Sequence, residues 1–209
     1  MLCAGIPRSG STWLYNAARL LLAKQFGEAN VHGAWIEQYD ASNPAAWHVV
    51  KVHEPDESLA WRANVVLTSR RDLRDIAASA WNRGWISDET SAMTFVDSVI
   101  RQHQFWHQRC AFEMVYERMR NDPAGELCRV AAALSISIDP AAAAGIVRAI
   151  EALGHDDASE RDFDPANLLH KKHIMDGRVG YHSETLPADL LARINDRAAT
   201  WLAAGGYSS

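Results

Sequence analysis

Ala4-Gly-Ile-Pro-Arg-Ser-Gly-Ser-Thr-Trp13 lies between a short apolar run, Met1 to Ile6, and a helical pattern of Trp13, Leu14, Ala17, Leu20 and Leu21. That order predicts strand, turn, N-cap and helix, with Ser11-Thr12 at the helix start. Gly5 and Gly10 carry the Gly-x4-Gly spacing of a P-loop. Glycines there let successive N–H groups converge, and the following helix N-terminus adds partial positive charge. Glycine also punctuates ordinary strand–helix turns. The position of this one, just before Ser-Thr at a helix start, favours a phosphate site.

Working outward, Gly27 stops the first helix, and Asn30 to Trp47 shows no clear period and is expected to be loop. His48 to His53 predicts a second strand ended by Glu54-Pro55, followed by a short helix over Asp56 to Trp61. A third strand spans Asn64 to Ser69, and Arg71-Asp72 opens a helix over Leu73 to Trp81. An amphipathic stretch from Ser91 to about Cys110 precedes a fourth strand, Glu113 to Tyr116. Helices over Gly125 to Leu134 and Pro140 to Leu153 follow, then a polar loop from His155 to Leu169 and a last helix from Pro187 to Gly205. Strands alternating with helices imply right-handed crossovers and a parallel sheet. The expected class is α/β, a P-loop-type three-layer fold with a central parallel sheet flanked by helices, in one domain over residues 1–209.

A formal net charge of −5 gives no basis for a nucleic-acid or anionic-membrane surface, so any anion site must be built locally. Cys3, Cys110 and Cys128 are odd in number and lack metal-ligand spacing, which fits reduced thiols rather than a disulfide framework or a zinc site. No secretory signal pattern and no apolar run near the roughly 20 residues of a membrane span are present. The expectation is a cytoplasmic protein without metal. Oligomeric state is not readable.

A ligand should meet an open parallel sheet at the carboxyl ends of its strands. Pro7-Arg8, His53 and Arg70-Arg71 all fall there. A nucleotide triphosphatase would need Lys then Ser or Thr closing the loop, but Ser11 occupies the lysine position. The third strand also ends in Arg70-Arg71, where a metal-binding carboxylate would be needed. A small-molecule P-loop kinase is therefore the weaker reading.

Pro7-Arg-Ser-Gly-Ser-Thr-Trp13 resembles the 5′-phosphosulfate loop of the sulfotransferases that use 3′-phosphoadenosine-5′-phosphosulfate. Ser69-Arg-Arg-Asp-Leu-Arg-Asp-Ile-Ala-Ala-Ser79 is similar to their 3′-phosphate segment, with Arg71 followed eight residues later by Ser79. Lys51-Val-His53-Glu-Pro resembles the strand bearing their Lys and catalytic His. Met114-Val-Tyr116 resembles the strand whose Tyr lies near adenine. His173 to Gly180, continuing to Tyr207, is similar to the closing segment of bacterial members. The family's Arg-Lys-Gly segment is not present as such, and Lys171, Lys172 and Arg178 are the nearby cations.

The resemblance implies that Arg8 and the Ser9, Gly10, Ser11 and Thr12 amides hold the 5′-phosphosulfate and that Trp13 stacks on adenine. It also implies that Arg71 and Ser79 bind the 3′-phosphate, with Lys171, Lys172 or Arg178 completing that site, and that Tyr116 lies near adenine. His53 is the candidate base, since an imidazole near its usual pKa of about 6.5 suits proton removal at neutral pH. Lys51 lies on the same side of the strand, and Glu54, on the other side, is the alternative base. Arg70 and Arg74 are expected to be solvated or paired with Asp72 or Asp75. The Trp81, Trp85, Phe105 and Trp106 series offers either an acceptor pocket or core. The implied reaction is sulfuryl transfer to a small-molecule or glycan acceptor, and an inactive nucleotide-binding module is a further alternative.

Overall fold

The structure, a computed structural model of the chain, describes residues 1–154, 163–169 and 177–207. Five strands form one sheet in which every pairing is parallel. They are β1 (Leu2–Cys3), β2 (Val31–Trp35), β3 (Trp47–Lys51), β4 (Val66–Arg70) and β5 (Phe112–Val115), ordered β2-β3-β1-β4-β5. The expected α/β fold with a central parallel sheet is therefore observed.

Two expectations are corrected here. Asn30 to Trp47 is not all loop, because Val31–Trp35 forms the edge strand β2, paired residue for residue with Trp47–Lys51. Its His-Gly core gives no alternation, so the strand is specified by its neighbour rather than by its own pattern. Where Gly33 lies, an added Cβ would collide with the Tyr15 hydroxyl. Tyr116 likewise leaves the strand it was assigned to and begins a short helix, α5 (Tyr116–Asn121).

Side chains alternate across the sheet as the pleat requires. Cys3, Val49 and Leu67 face one cluster with α1 (Ser11–Phe26), α6 (Pro123–Ala133) and α7 (Pro140–Glu151). Leu2, Val50, Val52 and Val66 face the fully buried Trp106 of α4 (Glu89–His107) and Leu59 of α2 (Glu57–Arg62). Beyond them, α3 (Leu73–Asn82), α4 and α9 (Ala188–Ala204) share a third cluster, which the one-turn α8 (His182–Thr185) borders. Each fully buried Leu or Ile in these layers is worth about 1.5–3 kcal/mol of burial.

Asp side chains cap α2, α3, α4, α6 and α7: Asp56, Asp72, Asp88, Asp122 and Asp139 each accept from a backbone N–H of the first turn. Helix α1 differs. Its N-cap is Gly10 in the left-handed region (φ 82°), with no side-chain cap and no acidic residue in the first turn. From β1 the chain leaves to one side for β2 and β3, then passes to the other side for β4 and β5. The crevice therefore opens at the carboxyl ends of β1, β3 and β4, where α1 begins.

Candidate functional site

The loop from Ala4 to Gly10 is clamped from β4. Thr68 Oγ1 donates to the Ala4 carbonyl at 2.9 Å, and Ser9 Oγ donates to the Ile6 carbonyl at 2.6 Å. With its one proton so used, Ser9 Oγ accepts from Ser69 Oγ at 2.5 Å. A Cβ at Gly5 would run into the Ser69 hydroxyl, so the close approach requires glycine. Ser9 is thus buried and turned into the loop. Ser11, Thr12 and Trp13 carry the first N–H groups of α1, which have no intrahelical acceptor. Trp13 itself is half-buried against the core.

Strand parity then places Lys51 on the α1 face. Its Nζ donates to Thr12 Oγ1 at 2.6 Å and lies 5.4 Å from the Trp35 ring centre. Only 4% exposed, the ammonium is pushed down to about 7, by burial first, with the Arg8 charge acting the same way and Cys3 opposing. A buried cation so depressed gains from a bound anion.

His53 follows on the same face. Its Nδ1 is 2.5 Å from the Gly5 carbonyl oxygen, which only accepts, so Nδ1 carries the proton and Nε2 keeps its lone pair. Trp35 meets the imidazole edge-on at 5.0 Å, and the Trp106 indole donates to the His53 carbonyl at 2.9 Å. The expected pKa near 6.5 is corrected: burial, then the Lys51 charge, pushes it down to about 3, so the ring is neutral throughout the working range. Glu54, on the opposite face, is exposed and accepts from Gln102 Nε2 at 2.8 Å. The two candidate bases are thus held on different sides of β3.

Arg8 adopts φ 63°, and its Nε donates to Ser79 Oγ at 2.8 Å, so the side chain bridges the loop and α3. Arg71 is 4% exposed. It donates to the carbonyls of Arg8 (3.2 Å) and Arg178 (2.8 Å) and lies 3.6 Å from the Asp75 carboxylate. Its guanidinium stacks over Tyr116 at 4.1 Å, while its buried Nε has no hydrogen-bond partner. Tyr116 also donates to the Gly177 carbonyl at 2.8 Å and closes against Gly10. Asp75, fully buried, accepts from the Gly180 and His182 N–H groups (2.8 and 3.2 Å) and from His182 Nδ1 (2.7 Å). The closing segment is therefore fastened to α3.

The structure brings Arg8, Ser9, Gly10, Ser11, Thr12, Lys51, His53, Arg71, Ser79 and Tyr116 into one connected cluster around the start of α1. Arg178 presents its carbonyl to Arg71, while its guanidinium pairs with Glu184 at 3.0 Å. Lys171 and Lys172 lie outside the described residues. Arg74 pairs with Asp72 as expected, whereas Arg70 pairs with Glu113 across the sheet rather than with Asp72 or Asp75, at 3.2 Å.

In the aromatic series, Trp106 is core, Phe105 packs against it and Trp81 is half-buried against the α3–α4–α9 cluster. Trp85 alone of that series stands 53% exposed. Sequence reasoning missed Trp35, Gly5 as partner of His53, and Asp75 as anchor. The spacing Arg71-x3-Asp75 was the available signal for the last.

Among the described residues, His103, His107 and Glu113 bring three ligand-type atoms within 4.8 Å. Trp201 Nε1 donates to His103 Nδ1 at 2.9 Å, so the His103 proton is on Nε2, donated to Glu113 at 2.8 Å. Metal-bound histidine needs the reverse arrangement, an acceptor facing its other nitrogen. This is a hydrogen-bond network. The free cysteines Cys3, Cys110 and Cys128 do not pair, and no described helix is long and apolar enough to cross a membrane.

No protein-family model and no curated protein matches the sequence. Solved structures do. A mouse sulfotransferase, SULT7A1, complexed with PAP is 15% identical, with 95% of this chain and 81% of that one covered and a TM-score of 0.67. Retinol dehydratase in complex with androsterone and inactive cofactor PAP is 14% identical over 96% and 80%, with a TM-score of 0.71. Identity this low speaks for backbone architecture alone, and on that ground the chain has the sulfotransferase fold.

Proposed function

We propose that the chain, as one domain, is a sulfotransferase that moves the sulfuryl group of 3′-phosphoadenosine-5′-phosphosulfate onto a hydroxyl or amine of a small-molecule or glycan acceptor. The observation that carries this reading is the convergence of the uncapped α1 N-terminus, buried Lys51 and buried Arg71 beside a neutral His53. The PAP complexes of similar structures support the same nucleotide.

Sulfuryl transfer needs in-line geometry and charge stabilisation on the leaving oxygen. The α1 amides and Lys51 supply donors for the 5′ end. Arg71, with an unused Nε–H, and Ser79 supply them for the 3′-phosphate. Arg8, reaching from the loop to Ser79, lies between the two. His53 Nε2 takes the acceptor proton as the acceptor oxygen bonds to sulfur. The sulfur–oxygen bond to the 5′-phosphate breaks, and adenosine 3′,5′-bisphosphate leaves.

Calorimetric titration with adenosine 3′,5′-bisphosphate, run beside ATP with magnesium, tests the nucleotide. Binding of ATP but not the bisphosphate refutes the reading and favours the kinase. His53→Gln is expected to lower turnover by about 10²–10⁴-fold, the range for a general base, while bisphosphate affinity stays nearly constant. Turnover equal to wild type removes His53 as the base.

A further inference from the structure

Asp75, Ser79 and Arg83 succeed one another at four-residue intervals along α3, with Arg71 one interval before them. Residues so spaced share a helix face. Arg71 and Ser79 are assigned to the nucleotide, and Asp75 is taken up by the closing segment. Arg83 stands one turn beyond Ser79. It is about 6 Å along the axis from Ser79, at about 1.5 Å per residue.

The chain reverses sharply at this point. Arg83 is the C-cap of α3, and Gly84 follows with φ 71°. The Gly84 N–H reaches the Trp81 carbonyl and the Trp85 N–H reaches the Ala80 carbonyl, both at 2.9 Å. These paired bonds are those of a Schellman cap. They fix Arg83 and Trp85 relative to Ser79. Trp85 is 53% exposed, braced by Phe95 at 6.5 Å, and its ring lies 5.8 Å from the Arg8 guanidinium carbon.

We infer that Arg83 and Trp85 form the acceptor side of the site and select an acceptor that carries an anionic group on a flat apolar body. This rests on the sulfotransferase reading. A half-exposed indole two residues from Arg83, on the turn that the α3 cap fixes, offers stacking, and the Arg83 guanidinium offers a charge-assisted bond, to one molecule. After burial, the charge of Arg83 is the largest cause of the lowering of Arg8 to about 10, which supports their closeness. The same anion chemistry could belong to the nucleotide, but Arg83 and Trp85 lie beyond Ser79, away from Arg71.

The test uses the whole chain and two phenols, 4-hydroxybenzoate and its methyl ester, as acceptors with the sulfuryl donor. Wild type is expected to favour the carboxylate by about tenfold in kcat/KM, the equivalent of about 1.4 kcal/mol. Arg83→Gln is expected to erase that preference while bisphosphate affinity stays within about twofold of wild type. Arg83→Lys is expected to restore part of the preference, because the charge is kept without the fork. Equal handling of the two phenols by wild type, including turnover of neither, overturns the inference. So does a bisphosphate affinity that Arg83→Gln lowers tenfold while AMP affinity is unchanged, which would assign the guanidinium to the 3′-phosphate. If wild type binds no bisphosphate at all, the sulfotransferase reading falls first.

Discussion

Lys51, the last residue of β3, and His53, two residues beyond it, acquire different protonation states from one environment. Both are desolvated on the α1 face, so Lys51 is poised near 7 and His53 is held neutral far below it. A bound anion raises the Lys51 pKa, so at pH 8 binding of adenosine 3′,5′-bisphosphate must take up protons. Calorimetry in buffers of differing ionisation enthalpy should show that uptake, shrinking toward zero below about pH 6, where Lys51 is already charged. By the same sign, nucleotide affinity falls as pH rises above about 7, and Lys51→Met abolishes both effects. The kcat/KM profile should lack an acid limb near 6.5, because His53 is still deprotonated there. Lys51-x-His53 could be read from sequence, since strand parity puts such a pair on one side. Their pKa values could not, since those follow from what surrounds them.

At the scale of elements, the decisive contact is the fastening of residues 177–182 to α3 through Asp75. Burial alone pushes the Asp75 carboxyl up, but its bonds to His182 and Gly180 outweigh this and hold it below the usual range. Asp75→Ala leaves buried Arg71 without its carboxylate, and removing one partner of such a pair costs about 3–5 kcal/mol. Chemical denaturation should show that loss, and bisphosphate affinity should fall with it. A second prediction concerns the α3 cap. Gly84→Ala forces an L-residue into the left-handed region at about 1–2 kcal/mol, and a thermal melt should drop accordingly, by about 2–4 °C per kcal/mol for a chain of this size. The long helices were legible because their apolar period and Asp caps are local. Strand β2 was not, since its only specification is the hydrogen-bonding edge of β3.

On the scale of the whole molecule, a chain of net charge −5 gathers three of its cations, Arg8, Lys51 and Arg71, around the start of α1. Filling the site there with adenosine 3′,5′-bisphosphate at about a hundred times Kd should stabilise the fold by about 2.7 kcal/mol. A melt should rise by about 5–10 °C. Raising the salt should weaken binding only moderately, because Lys51 and Arg71 are buried and screened little. An unchanged melting temperature at saturating bisphosphate contradicts the site.

Sequence by itself determined the α/β class, the Gly5–Gly10 loop, the α1 start, and Lys51 and His53 on one side of their strand. Each depends on neighbours in the chain: glycine spacing, apolar period, strand parity. Tertiary structure alone decided the strand order, the edge strand β2 with Trp35 beside His53, the Asp75 anchor and the neutral His53. These depend on groups distant in sequence, Gly5 with His53 and Asp75 with Gly180, and no local pattern encodes which carbonyl or carboxylate a donor will meet. Arg8 draws on both: its place in the loop was local, but its bond to Ser79 exists only because β1 and β4 are neighbours.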